Sequence, residues 1–586
     1  MFFCGSEKSD AFHVEKEVKM LSSKYRKRVS ERHKRVTRSI AFIVPVCLVL
    51  SGCASSKGGS AGGRTGEYNN TPKAEYLQID LDYCNGSVVV TPGGNVVLSE
   101  QDSYDVLDAA DNGVLAVQDY NGSEEVLAII KDGETIQVSD VNNNGILCGS
   151  GKKLFYKDYE SGTIYSYDVE SGENAEIYKD AEIEYVSYDG NVICLSDGFV
   201  KVGSSEPVMR YPFTTYIGAS DSGEQVYFNS YHSVEEYNVD MELTSSQSVC
   251  DFGVLNAKDS NVSNNIISTE SSEAAITAHN SDFSEILYRY DGDTYFFSAD
   301  KKDKQLVTSR TALIPVEEVY EYNNSALKSV FDPYEYYEKS FVNIPPEYYK
   351  FKHSVASIKD HIYCAFDYNN CRADLVYLDN ELKTQTLVDN ISALPVVAGG
   401  GSYIWTASGN TIYRIDLTDK APSLLSCEID GLGYPVYEEG TYISLPIAVM
   451  DDGKTAYCIG ETSLNYDLNR VSGTLYYVDF DNAAETAAEV ETGVTSCAAD
   501  NSAVYYTITS EEYDFLSKLY CCSPDGKKDR ITSDVWVYFV VNSRLYMLKV
   551  DGNYDQQDYK INLYEFNDGL HMIAEDVYED LISIGY

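Results

Sequence analysis

The sequence predicts an all-β chain, a β-propeller of about seven to nine four-stranded blades, and three observations carry that prediction. Beyond residue 78, short runs rich in Val, Ile, Tyr and Phe alternate with turns of Asp, Asn, Gly and Ser. That is strand-and-turn patterning, and no 3.6-residue helical period persists against it. A turn followed by a short tyrosine-bearing strand recurs along the body. Finally, 44% of the 586 residues are apolar, ample for a packed core. Two smaller propellers in tandem are the alternative arrangement for a chain of this length.

Taken in order, the first element is a basic leader. Residues 24–38, from Lys24 to Arg38, form a dense positive block, and residues 40–50, Ile40 to Leu50, are uncharged and apolar. The run is short of the roughly 20 residues a spanning helix needs. A charged region before a short apolar one is the pattern of a secretory signal. Leu50, Ser51 and Gly52 then precede Cys53, small residues before a cysteine that resemble the lipobox of bacterial lipoproteins. The resemblance implies lipidation of Cys53, and paired acyl chains anchor stably where a single chain does not. Residues 1–52 are therefore read as a lipoprotein-type signal peptide, with translation starting at Met20 as an expectation. Residues 53–77 are read as a flexible Gly/Ser-rich linker. Within it, Gly58-Gly59-Ser60-Ala61-Gly62 matches the nucleophile-elbow spacing but lacks the strand and helix that the elbow requires.

The third element, residues 78–586, carries the repeat. The turn-and-strand unit appears as ADNGVLAV from Ala110, SYDGNVICL from Ser187, SDSGEQVYF from Ser220 and MDDGKTAYCI from Met450. Second strands with an aromatic-polar-Asp ending follow, as TIYSYD from Thr163 and TIYRID from Thr411. Stacked four-stranded sheets bury two apolar faces each, which is why such a repeat reads as blades. The Asp-Gly hairpins Asp452-Gly453-Lys454 and Asp525-Gly526-Lys527 resemble those of TolB-like and YWTD-like bacterial β-propellers. That resemblance implies the fold and leaves the function open. The spacing is uneven, with a long gap between Gly223 and Asp360. Residues 316–352, within that gap, read as an insertion in which Asn323, Asn324 and Ser325 cap a short helix through Phe331.

Charge excludes one class of partner. The net charge is −47, from 92 acidic and 45 basic residues. The leader carries 11 basic and 5 acidic residues, so the remainder holds −53. Phosphate-backbone binding needs clustered Lys and Arg, so nucleic acid is not an expected partner.

Chemistry-bearing motifs are sparse. Eleven cysteines follow Cys53 without a C-x-x-C, and most sit singly in strands, so buried free thiols are expected rather than a disulfide framework. No histidine pair has metal-ligand spacing. Asp140, Asn142 and Asn144, followed by Gly145, match the start of a calcium loop, but Gly151 stands where the closing glutamate belongs. Calcium is accordingly a weak expectation, and no other cofactor is expected. Most of the 51 tyrosines suit half-buried sheet faces. Tyr334, Tyr336, Tyr337, Tyr348 and Tyr349 are dense enough to form a ligand-facing aromatic surface.

The functional expectation is a lipid-anchored module on the extracytoplasmic face of the cell membrane, non-enzymatic, binding a protein, peptide or glycan. A cell-envelope hydrolase or lyase on the same scaffold is the rival, and a scaffold role in an envelope assembly is a third reading.

Overall fold

The computed structural model describes residues from Tyr76 to Gly585, apart from connecting stretches of which 204–213 and 318–353 are the longest. The described residues form forty-three strands and no helix. All strand pairing is antiparallel, and strands adjacent in sequence are adjacent in space. Most sheets have four strands; one has ten, and a two-stranded hairpin, 434–443, stands apart.

Burial falls in chain order across several of the four-stranded sheets. In the 145–179 sheet, Gly145–Leu147, Lys153–Asp158 and Thr163–Asp168 are largely covered, while Asn174–Lys179 is mostly exposed. Inner strands include near-continuous apolar runs, such as Val192–Leu195 and Ala312–Pro315, each buried throughout. Such runs belong to sheets covered on both faces.

The period of two explains how one strand serves two cores. Leu154 and Tyr156 face the 102–139 sheet, whereas Phe155 between them packs with Ile193 and Val200 of the following sheet. Phe228 joins Val192 and Phe199, while its neighbour Tyr227 joins Ile286 and Tyr288. Trp405 packs with Val449 and Cys458, and Ile404 with Cys364 and Leu375. The first sheet is completed by the last strand: Tyr76–Leu81 pairs with Ser87–Val90 on one side and Val577–Gly585 on the other. Val88 and Val90 share a core with Tyr546 and Leu563, and Val89 shares one with Leu115 and Val117.

The repeated turn is a tight device. In Ala110–Gly113, Cys148–Gly151, Ser187–Gly190, Ser220–Gly223 and Met450–Gly453, the glycine amide donates to the first residue's carbonyl at 2.8–2.9 Å. Each glycine has positive φ, from 64° at Gly223 to 85° at Gly113, a region open to glycine at little cost. Neighbouring turns are tied together. The Asp111 amide donates to the Gly149 carbonyl at 2.9 Å, and the Ser150 amide to that of Tyr188 at 3.0 Å. Tyr188 Oη donates to Asp111 at 2.7 Å, and the Asp189 amide to Asp221 at 2.8 Å. The turn aspartates are thus fasteners between sheets.

Gly453 shows how much depends on this geometry. Its φ is 72°, and a Cβ there would lie 2.9 Å from the Gly399 amide nitrogen and 2.6 Å from the Tyr403 ring. Gly400 also has positive φ, 63°, but a Cβ there would meet nothing within 4 Å. We expect Gly453→Ala to cost about 2–3 kcal/mol and Gly400→Ala about 1 kcal/mol. Urea denaturation of the two variants checks the difference; equal losses would show that the clash is relieved.

Three expectations are revised. The linker ends before residue 77, because the first strand begins at Tyr76 to pair with Gly585. The 316–352 boundary begins too early: the Val316 amide donates to Ile362 at 3.4 Å and Glu317 packs on His361, so both finish a sheet. The remaining insertion residues and the capped helix lie outside the described residues. The long gap after Gly223 holds strands of two sheets, 214–269 and 275–308, rather than missing repeats. The second was hidden because its turn, Asn280–Phe283, ends in a phenylalanine with φ of 57° where other repeats carry glycine. The expected free thiols are present among the described residues: seven buried, with Cys427 and Cys521 half-buried.

Candidate functional site

A crevice opens between the 275–308 and 312–388 sheets. Its floor is Leu313, Ala365 and Val376, all buried. The register explains this alignment: Leu313 is opposite Ala365, and Tyr363 is opposite Val376, so all share the face turned toward Leu287 and Phe296. Tyr363 fills its part of this face and donates from Oη to the Ile358 carbonyl at 2.8 Å, whereas Ala365, two residues later, is short. Short side chains at one end of two packed sheets leave a space of about 240 Å³.

The rim is polar. Thr308 and Thr311 come from the end of the 303–308 strand and the connection after it, and Thr384 and Thr386 from the exposed outer strand Thr384–Val388. Asp367 and Asp374 lie on the hairpin between them. Asp374 is diagonal to Asp367 on the same face, since its direct partner is Ala365. Hydrogen bonds hold two of these groups. The Asn390 amide donates to Asp374 at 2.7 Å, and Thr311 donates to the Ser309 carbonyl at 3.2 Å. Among the described residues, no Lys, Arg or His lines the crevice.

Several buried titratable groups are built into the framework. His361 Nε2 lies 3.1 Å from Glu317 Oε2, both nearly fully buried. His279 stacks on Phe283 with 3.8 Å between ring centroids. Glu184, whose carboxyl burial pushes above the usual range, accepts a bond from the Tyr216 amide at 2.8 Å. Burial likewise pushes up the thiols of Cys194, Cys364 and Cys497. A thiol held protonated is a poor nucleophile.

Few of the residues singled out in the sequence fall where their surroundings are described. Leu50, Ser51, Gly52, Cys53, Asn142, Asn144 and the five tyrosines between Tyr334 and Tyr349 lie outside the described residues. Asp140 is exposed after strand Glu134–Ser139 and accepts a bond from Gln137 at 2.6 Å. Among the described residues no group of three His, Cys, Asp or Glu gathers as a metal site. The crevice threonines gave no sequence signal, because Thr is an ordinary strand residue and the site is made across two sheets.

No family model matches the chain, and no curated protein matches it. Solved structures similar to it include a eukaryotic initiation factor, with 10% identity over 87% of this chain and 98% of that one, at a TM-score of 0.32. Porphyromonas gingivalis dipeptidyl peptidase 4 has 9% identity over 84% of this chain and 65% of that one, with a TM-score of 0.31. Apo AztD from Citrobacter koseri has 11% identity over 74% of this chain and 98% of that one, with a TM-score of 0.26. Likenesses at this level assign no activity.

Proposed function

We propose that this chain is a lipoprotein anchored through Cys53 on the extracytoplasmic face of the membrane, and that its body is a closed β-propeller acting as a binding module. The observation that carries the propeller reading is the return of the chain to its first sheet. The strand Tyr76–Leu81 pairs with Val577–Gly585, and Val88 and Val90 pack against the sheet that precedes that last strand. Because each sheet shares a core with the next, the succession closes once, which favours one ring over two in tandem.

On this reading every four-stranded meander is a blade, and the ten-stranded sheet supplies three. Ala487–Ala499 pairs with 470–479 through its first half and with 504–509 through its second. Lys528–Val541 divides in the same way. With the three-stranded sheet 183–201 counted as a further blade and the side hairpin set aside, the blades number eleven rather than seven to nine. Two long strands that each end one blade and begin the next conceal the boundaries.

The anchor is supported by the order of its elements in the sequence: basic block, short apolar run, small residues and Cys53. Cys53→Ser is expected to move the protein from the membrane fraction to the soluble one and to abolish incorporation of labelled fatty acid. Unchanged fractionation of that variant would refute the anchor. The binding role, for a protein, peptide or glycan, is supported by the preformed crevice and by His361, His279 and Glu184 being built into the framework.

A further inference from the structure

We propose that the crevice between the 275–308 and 312–388 sheets binds a small uncharged polyhydroxy ligand, one pyranose ring in size. The inference rests on the binding-module reading above and gives that module a ligand class.

The polar groups define the chemistry. Four threonine hydroxyls can each donate and accept, and the carboxylates of Asp367 and Asp374 accept. A ring carrying hydroxyls on successive carbons offers the complementary set: donors for the carboxylates, and both roles for the threonines. The threonine methyl groups and the floor of Leu313, Ala365 and Val376 meet the C–H faces between those hydroxyls. Anions are disfavoured by the described lining, which brings two carboxylates to the space and no cationic side chain. A flat aromatic ligand would find no ring to stack on among the described lining residues. A divalent cation needs six or more oxygens converging at about 2.3–2.6 Å, and no acidic group of three gathers among the described residues.

Size and rigidity agree with this class. The space of about 240 Å³ matches the liquid volume of about eight waters, below the range usual for drug-sized ligands. The rim stands on strands of two packed sheets, with Asp374 fixed by Asn390 and Thr311 by Ser309. Groups already held in place lose little freedom when a ligand arrives.

The test is ligand-observed saturation-transfer NMR on the full chain in detergent. The probes are D-glucose, D-galactose, N-acetylglucosamine, n-butylammonium and inorganic phosphate. At least one neutral pyranose is expected to show saturable transfer. Its affinity is expected to fall at least tenfold in Thr384→Val/Thr386→Val, a change on an exposed strand that should leave the melting temperature unmoved. Asp374→Asn should weaken the same probe without creating phosphate binding. Saturation by butylammonium or phosphate in place of every pyranose would overturn the proposal, as would pyranose binding indifferent to the threonine pair. An immobilised glycan and peptide array separates the two levels. If no pyranose binds but the array retains wild type and the threonine variant alike, the ligand class falls and the binding module stands. If the array is silent as well, the module reading falls with it.

Discussion

Arg414→Leu is expected to lower the stability of the folded body by about 3–4 kcal/mol, one of the largest effects of any single substitution in the chain. Arg414 lies in the strand Thr411–Asp416 and is 2% exposed. Its guanidinium meets Asp416 through two bonds, at 2.7 and 3.0 Å, the planar fork that makes such pairs strong. It also donates to Asp481 at 2.9 Å and to the Lys454 carbonyl at 2.8 Å. The rings of Tyr403, Trp405 and Phe480 surround it, 5.1 to 6.0 Å from the cation.

One side chain therefore ties the 396–428 sheet to the turn and strands of the next. Leucine would fill part of the volume but leave Asp416 and the Lys454 carbonyl without their donor. Asp481 is half exposed and water can replace its bond, so it adds little to the loss. Arg414→Lys is expected to recover less than half, because an ammonium cannot make the forked bond or stack on the rings. Urea denaturation measures both. A loss below about 1 kcal/mol for Arg414→Leu would mean that the rings alone hold the sheets together.

This cluster also shows where the sequence was legible and where it was not. The run TIYRID was readable as a strand ending in an aromatic-polar-Asp pattern, and that strand is present. That its polar residue is a buried arginine could not be read, because the groups that permit burial come from Lys454, Phe480 and Asp481, beyond the next turn. The strand-and-turn character of the body was legible because period-two alternation and left-handed turns are local. Gly113, Gly190, Gly223 and Gly453 marked their turns for this reason. The same rule failed at Phe283, where surrounding packing holds a bulky residue at positive φ: it stacks on His279, and Tyr227 donates to its carbonyl at 2.7 Å. The crevice was illegible for a related reason. It exists because Ala365 is short opposite a neighbouring sheet, and a small residue in a strand carries no mark of what faces it.

Removing residues 1–81 is expected to abolish cooperative unfolding, whereas removing residues 1–75 should leave the melting temperature unchanged. The difference is six residues, Tyr76–Leu81, of which Ile79 is fully buried. Without them, Ser87–Val90 and Val577–Gly585 each lose a hydrogen-bonded neighbour and become sheet edges, which invite pairing between chains. The loss is not confined to one sheet. Val88 and Val90 on one face and Val89 on the other belong to two cores, reaching Tyr546 and Leu563 in one direction and Leu115 and Val117 in the other. Truncating Ile79 alone to alanine should cost about 2–5 kcal/mol, and a native domain commonly has only about 5–15 kcal/mol in total. Losing the whole strand therefore exceeds what the fold can absorb if the sheets close on one another. Circular dichroism melts and size-exclusion chromatography distinguish the outcomes, with aggregation expected for the shorter fragment. A synthetic peptide of residues 74–83 added in trans should restore the melt, because what is missing is a strand partner and not a chain end. A sharp melt of the 82–586 fragment within about 3 °C of the longer one would mean that the sheets stand as an open stack, each supported by its sequence neighbours, and the ring would have to be abandoned.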